Sequence, residues 1–555
     1  MSIPTAPAQP VAPVHSAPGP ESAPSPAPAP ASALANPRGF FARASEGINP
    51  IVLQEVRRGL RTRVFSIAFT LLLLACAVIA LVAFGVYEPG NSGVGQGTFV
   101  AVLACLSIVG FFMLPYSAYR SLSREREDKT WPLLVLTGMS PRRILSGKIG
   151  STLLQALLYA SAIAPFLLFA YLLQGVSLVT VGAVLGAALS FHVFLTVAAV
   201  TVATLGETRV VRGALHFLVL GALLFAGSSA FGYGTAMVFA HSASDVTAFL
   251  TIAGVGSWML LSYGLVLFAV AVSRLTFESD NHAFWPRLAL LLHFVGNVAL
   301  CHGIELLSRP HAKEMMGTLL GTLGVIHAFA AGVFVATGRP GLSRRVRENP
   351  PRLNPLGLLV PGAVRGLSAA NLLVLSFAGA GLALLALAGC REEKYYAGIA
   401  LMAAFALLYL SFPVALGRGP LRLLLPGPAF LQVLAVLVFV VAVGVPPLVA
   451  LIGDFKVDDP IINFLNPVVM VVHCFDDGPD EAMAAIGVLA LGAWYVAHRV
   501  SADRDREADA LLALATPAAS ATASTSPTST PSAPSAPSTP STPSTPPPGE
   551  GPTRG

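Results

Sequence analysis

The apolar positions of this chain fall into long, nearly unbroken runs separated by short polar stretches. A helix that crosses a bilayer needs about 20 consecutive, largely apolar residues. Runs of that length occur near 64–86, 98–118, 149–173, 178–204, 214–240 and 246–272. A second set follows near 288–307, 315–337, 368–389, 397–417, 429–452 and 482–499. Strands of a membrane barrel would be shorter and would alternate polar with apolar residues. Helices instead satisfy every backbone hydrogen bond within the segment, a task lipid cannot take over. The pattern predicts an all-α, polytopic integral membrane protein with about 12 transmembrane helices in two blocks, 64–272 and 273–500.

Composition agrees with this reading. Of 555 residues, 54% are hydrophobic and only 11% charged, less than half the charged share of a soluble globular domain. Residues 1–48 form a Pro/Ala-rich stretch and 501–555 a Ser/Thr/Pro-rich one. Such segments bury too little apolar surface to offset their ordering entropy, so both are expected to be disordered tails. The first also lacks the charged and long apolar regions of a signal peptide.

The net charge of +6 could suggest a nucleic-acid partner, but the placement of the charges excludes it. With twelve spans the loops alternate sides. The tails and every second loop then hold 29 of the 34 Lys and Arg residues. The other side holds Arg309, Lys313, Arg391, Lys394 and Lys456. The positive-inside rule therefore puts both termini in the cytoplasm. Of the five cysteines, no two form a C-x-x-C pair. Cys76, Cys105 and Cys301 lie in apolar runs and read as packing residues rather than metal ligands.

Two cytoplasmic segments carry finer patterns. Over 49–63, Asn49 suits a helix cap and Pro50 the first helical turn. Leu53, Val56, Leu60 and Val64 then share one face, while Arg57, Arg58, Arg61 and Arg63 occupy much of the rest. This is the pattern of a basic amphipathic helix lying in the membrane interface. The loop 119–148 contains a mixed-charge run with Glu125 and Glu127, then an apolar patch from Trp131 to Leu136. An apolar patch rimmed by charge marks a partner surface, or else a loop folded back onto the interface.

The string Glu125, Glu127, Thr130, Trp131, Leu133, Leu134, Thr137, Ser140-Pro141, Gly147 and Lys148 resembles the first cytoplasmic loop of type-2 ABC exporter permeases. The preceding helix, with Asn49, Pro50, Glu55, Arg57, Arg58 and Arg61, is similar to the interfacial helix of the same family. A weaker echo lies in the cytoplasmic loop 338–367, at 342–347 and 361–366. Pro132, Gly138 and the doubled number of spans depart from the commonest pattern. The resemblance implies a permease in the bacterial inner membrane, coupled through its cytoplasmic loops to a separate ATPase. ATP and magnesium would be bound by that partner. A second copy or another permease subunit could complete the assembly.

This chain has no G-x-x-x-x-G-K-[ST] loop, so it is not expected to be an enzyme or to hold a cofactor or metal itself. Ionisable groups in or at the ends of spans are functional candidates by default. They are His192, His216, His293, Asn297, His302, Glu305 and His327. His293, Asn297, His302 and Glu305 would form a polar path on one span, but His293 and His302 are nine residues apart and face opposite sides of it. The competing account of these groups is hydrogen bonding between packed helices. Two other classes remain as alternatives. A secondary transporter would need acidic residues near mid-membrane, which the span centres lack. A membrane enzyme would need a catalytic cluster at one membrane face, and the only candidate, His473 to Asp480, is loosely spaced. Asp476, Asp477 and Asp480 there would bind a hard cation or simply line a solvated turn.

Overall fold

The computed structural model describes residues 49–88, 92–128, 138–206, 209–239, 246–277, 280–307, 310–338, 341, 354–423, 428–453, 461–479 and 481–515. Among these residues there is no strand. The chain begins with α1 (Pro50–Leu60) and α2 (Arg63–Gly85). Helix α3 runs from Ser92 to Glu127 and contains a π turn, Ile108–Met113. Then follow α4 (Pro141–Leu172), α5 (Leu178–Ala203), α6 (Arg209–Phe239) and α7 (Val246–Leu275). The second half comprises α8 (Phe284–Leu307), α9 (Pro310–Ala336), a 3-10 turn (Asn354–Leu359), α10 (Ala363–Leu387), α11 (Glu393–Arg418), α12 (Pro428–Ile452), α13 (Pro467–Asp477) and α14 (Glu481–Ala515). All but α1 and α13 are long and apolar enough to cross a membrane, twelve in total. They coincide with the twelve apolar runs of the sequence.

One boundary needs correction. The tail expected from residue 501 starts later, because α14 continues as helix to Ala515. Arg504 and Glu507, and Arg506 and Asp503, pair one turn apart on this extension. Residues 1–48 and 516–555 lie outside the described residues.

Each block of six spans has its own core. In the first, Tyr159, Phe99, Ile163 and Cys76 are fully buried between α2, α3 and α4. Tyr119, Leu122, Leu145 and Val200 continue the core toward α5. In the second, Val374, Leu385, Ile399 and Ala328 are buried among α9, α10 and α11. Here α9 and α10 lie backbone to backbone: a Cβ on Gly381 would come within 2.5 Å of the Gly321 Cα. Lipid gives helices no hydrophobic reason to associate, so close backbone approach at small residues supplies the contact. The blocks meet where α7 packs on α8, and Arg142 at the start of α4 stacks over Trp285 at the start of α8.

The contacts between helix ends respect the alternation of twelve crossings. Arg126 at the end of α3 donates to the Ala203 carbonyl at the end of α5. Glu127 pairs with Arg212 at the start of α6. On the opposite side, Gln96 near the start of α3 donates to the Gly175 carbonyl just beyond α4. Ends that twelve crossings assign to one side therefore touch one another.

Helix α13 does not cross. Its cap residue Asn466 is 1% exposed and donates to the Val443 carbonyl, about 14 Å along α12 from Ile452 at 1.5 Å per residue. Pro447 has no N–H for that carbonyl, so the Asn466 amide fills a gap left by the proline. Nearby, the Tyr409 hydroxyl of α11 donates to the Leu465 carbonyl. The segment before α13 thus dips into the apolar layer, and α13 returns to the side it left. Its irregular backbone is tolerated where Asn463 and Asn466 are buried in protein, and Met470, Val471 and Cys474 of α13 pack on Phe405 and Tyr409.

Candidate functional site

The most concentrated polar structure in the first block is built around Lys148. Ser140 caps α4 by accepting from the Arg143 N–H, with Pro141 in the first turn. About two turns later, Lys148 is 2% exposed. Its ammonium donates to Glu55 of α1 at 2.8 Å, to Glu125 of α3 at 2.6 Å and to the Ser121 hydroxyl at 2.8 Å. An ammonium has three donors, and all three are used.

Helix α1 is held against α4 by the residues around this node. Asn49 accepts from the Ile51 N–H and donates to the Arg143 carbonyl at 2.6 Å. Gly147 permits the approach, because a Cβ there would come within 2.7 Å of the Ile51 Cβ. Ile51, Glu55 and Gly59, spaced by four, form the packed face. Leu53 and Leu60, on the stripe expected to be apolar and interfacial, remain exposed, and so do Arg57, Arg58 and Arg61. The helix therefore presents both a basic and an apolar surface away from the protein.

The structure thus brings together Asn49, Glu55, Glu125, Gly147 and Lys148, which lie in three separate segments. Pro50 occupies the first turn of α1, and Glu127 turns aside to Arg212, 3.8 Å away. Thr130, Trp131, Leu133, Leu134 and Thr137 lie outside the described residues. Of the described residues on either side of 129–137, Glu125 precedes it and Lys148 follows it, and these two pair.

A second node occupies the same side of the second block, and nothing in the sequence marked it. Arg418, at the end of α11, is 6% exposed. Its guanidinium donates to the Ala336 and Gly338 carbonyls at the end of α9, to the Ala363 carbonyl and to the Ser501 hydroxyl of α14. The Asp505 carboxylate accepts from the N–H groups of Gly341, Ala363 and Val364. It caps α10 from another helix, favoured by the positive end of the helix dipole. Arg287 donates to the Leu358 and Val360 carbonyls. Within loop 338–367, the 361–366 echo sits at this node, whereas 342–347 lies outside the described residues.

The intramembrane groups resolve into separate clusters rather than one path. The His293 ring packs at a tilt against His327, centroids 4.5 Å apart, and against Tyr263 at 4.7 Å. Asn297 donates back to the His293 carbonyl and accepts from the Trp258 indole. This group stitches α7, α8 and α9 together. His302 and Glu305 form their own pair at 3.1 Å, with Glu305 buried and His302 half-exposed. His216 meets the Tyr119 hydroxyl at 3.1 Å.

His192 has a specific backbone task. In the π turn of α3 the Leu114 N–H reaches back to the Val109 carbonyl, and Pro115 has no N–H to offer. The Gly110 carbonyl is left without a helical donor. His192 Nδ1 takes it at 2.6 Å, and since a carbonyl only accepts, Nδ1 carries the proton.

On the opposite side, His473 pairs with Asp477 at 2.9 Å. Among the described residues no three metal-binding side chains converge, and Asp480 lies outside them. No family model matches the chain, and no curated protein or solved structure is significantly similar to it.

Proposed function

We propose that this chain is the transmembrane permease subunit of an ATP-binding-cassette exporter, coupled through its cytoplasmic loops to a separate ATPase. One observation carries the reading. Lys148 ties the interfacial helix, the end of α3 and the start of α4 into a single buried node. Glu55, Glu125 and Lys148, one residue of the resemblance from each of three segments, meet there. A push on the end of α3 or the start of α4 would reach the other helix through this ion pair. The Arg418–Asp505 node gives the second block a comparable anchor on the same side of the membrane. On this reading that side is cytoplasmic, the membrane is the bacterial inner membrane, and ATP and magnesium sit on the partner.

The test uses the full-length protein reconstituted with its candidate ATPase. An aromatic anchor at an interface can be worth about 2 kcal/mol or more. Trp131→Ala with Leu134→Ala should therefore weaken co-purification with the ATPase and abolish stimulated ATP hydrolysis, with unchanged membrane insertion. Normal binding and stimulation by this double variant would mean that the patch only folds back onto the lipid interface.

A further inference from the structure

An apolar cavity lies in the first block, in the half of the membrane remote from Lys148. It encloses about 450 Å³ between α3, α5, α6 and α7. Eleven of its twenty lining residues are Gly, Ala or Ser. Ala187 of α5, Ala230 and Gly234 of α6, and Ala253 and Gly256 of α7 face one another across it. In a membrane such residues normally let helices close up. Here they do not: α6 and α7, consecutive in the chain, barely touch. The packing of the two helices leaves a lateral seam between them.

The wall specifies what can fill the space. It contains no Asp, Glu, Lys, Arg or His. Two of its hydroxyls are already used, Ser107 on the Leu103 carbonyl and Ser229 on the Phe225 carbonyl. An engineered apolar void of about 150 Å³ stays dry and takes up benzene, and this one is about three times larger. Water would find few partners, and an empty space would forfeit the dispersion contacts of its whole lining. The floor is rigid. Phe111 projects into the cavity from the π turn, which His192 pins at Gly110, and its ring meets Phe191 edge-on at 5.0 Å. Outside the seam lies the hydrocarbon of the bilayer, to which twelve apolar helices are exposed.

We propose that this cavity is a lateral binding site for one acyl chain of a membrane lipid, entered from the bilayer between α6 and α7. The site stands whether or not a partner ATPase drives the protein. The small residues make room, the Ser107 and Ser229 hydroxyls are satisfied within their own helices, and Phe111 ends the channel.

The experiment uses the full-length protein in vesicles of phosphatidylcholine and phosphatidylglycerol. A trace of phosphatidylcholine carrying a diazirine in its acyl chain serves as the probe. After photolysis, labelling is mapped by mass spectrometry. Peptides covering 183–191 and 249–260 should be labelled several-fold more heavily than the lipid-exposed face of α12 around Val433 and Val440. Ala187→Trp and, separately, Ala253→Phe should each reduce the cavity labelling several-fold and leave α12 labelling unchanged. Labelling of the cavity peptides at or below the α12 level in the unaltered protein would overturn the proposal, as would unchanged labelling in both variants that elute as folded protein. Quantitative disulfide formation between Ala230→Cys and Ala253→Cys would overturn it too, by showing that the seam closes. A crosslink through the seam between two copies would assign the space to a second copy instead.

Discussion

Three residues do work that their chemistry makes expensive to lose. Lys148 pairs with both Glu55 and Glu125 in a poorly hydrated place. Removing one partner of a buried ion pair leaves uncompensated charge and costs about 3–5 kcal/mol when the pair is fully buried. Both glutamates are about one-fifth exposed, so the cost here should fall near the lower end. Lys148→Met should therefore lower the thermal unfolding temperature of the purified protein, and adding Glu55→Gln and Glu125→Gln should restore much of it. If the single change is silent, the node is not structural. His192 supplies a donor that the helix itself cannot. His192→Leu should cost about 1–3 kcal/mol, the usual penalty for an orphaned buried acceptor, whereas His192→Gln keeps a donor and should cost less. Equal losses for the two variants would argue that ring packing is what matters. Arg418 gathers carbonyls from two helix ends with a planar fork that lysine cannot reproduce. In the sequence it reads only as a cytoplasmic charge at the edge of a span. Its partners lie 55 to 83 residues away in the chain, and no local pattern encodes such a meeting.

At the scale of elements, the twelve spans were legible because each is a local property: enough apolar residues in a row to match the bilayer. The caps of α1 and α4 were legible for the same reason, since Asn49-Pro50 and Ser140-Pro141 act within one turn. The packed face of α1 was not. The sequence marks Leu53, Val56, Leu60 and Val64 as its apolar stripe, but the protein core takes Ile51 and Gly59 and leaves Leu53 and Leu60 outside. An interfacial helix has two apolar neighbours, protein and lipid, and periodicity alone does not tell them apart. This gives a measurable expectation. A nitroxide at Leu60→Cys in reconstituted protein should be relaxed more by oxygen, which concentrates in lipid, than by a water-soluble nickel chelate. At Arg58→Cys the order should reverse. Similar behaviour at both sites would mean that α1 stands clear of the membrane. The π turn escaped a reading of spans altogether, because it joins Pro115 to a histidine in another helix.

For the whole molecule, two six-span blocks each carry a polar node on one side of the membrane, and the contacts among helix ends obey a single alternation. The positive-inside rule predicts that this side faces the cytoplasm. After removal of the native cysteines, Ser146→Cys and Glu392→Cys test this in intact cells, since both positions are exposed and lie on opposite sides. An impermeant thiol reagent should label Glu392→Cys and spare Ser146→Cys. The reverse pattern would invert the molecule and move both nodes to the exterior. The candidate site was half legible at this scale. The residues of the Lys148 node were named from the sequence, yet as two unconnected motifs, and the node of the second block went unseen.

The dip before α13 bears on how the protein is made. At 11 residues, α13 is too short to be taken into the bilayer as a span during synthesis. It must reach its place afterwards, when α11, α12 and α14 already stand in the membrane. Asn463 and Asn466, both fully enclosed in the finished protein, would meanwhile remain in water. Burial of the two amides, with Asn466 taking the Val443 carbonyl that Pro447 leaves free, would then follow insertion. A chain arrested before that step would have every crossing in place and still be unfinished.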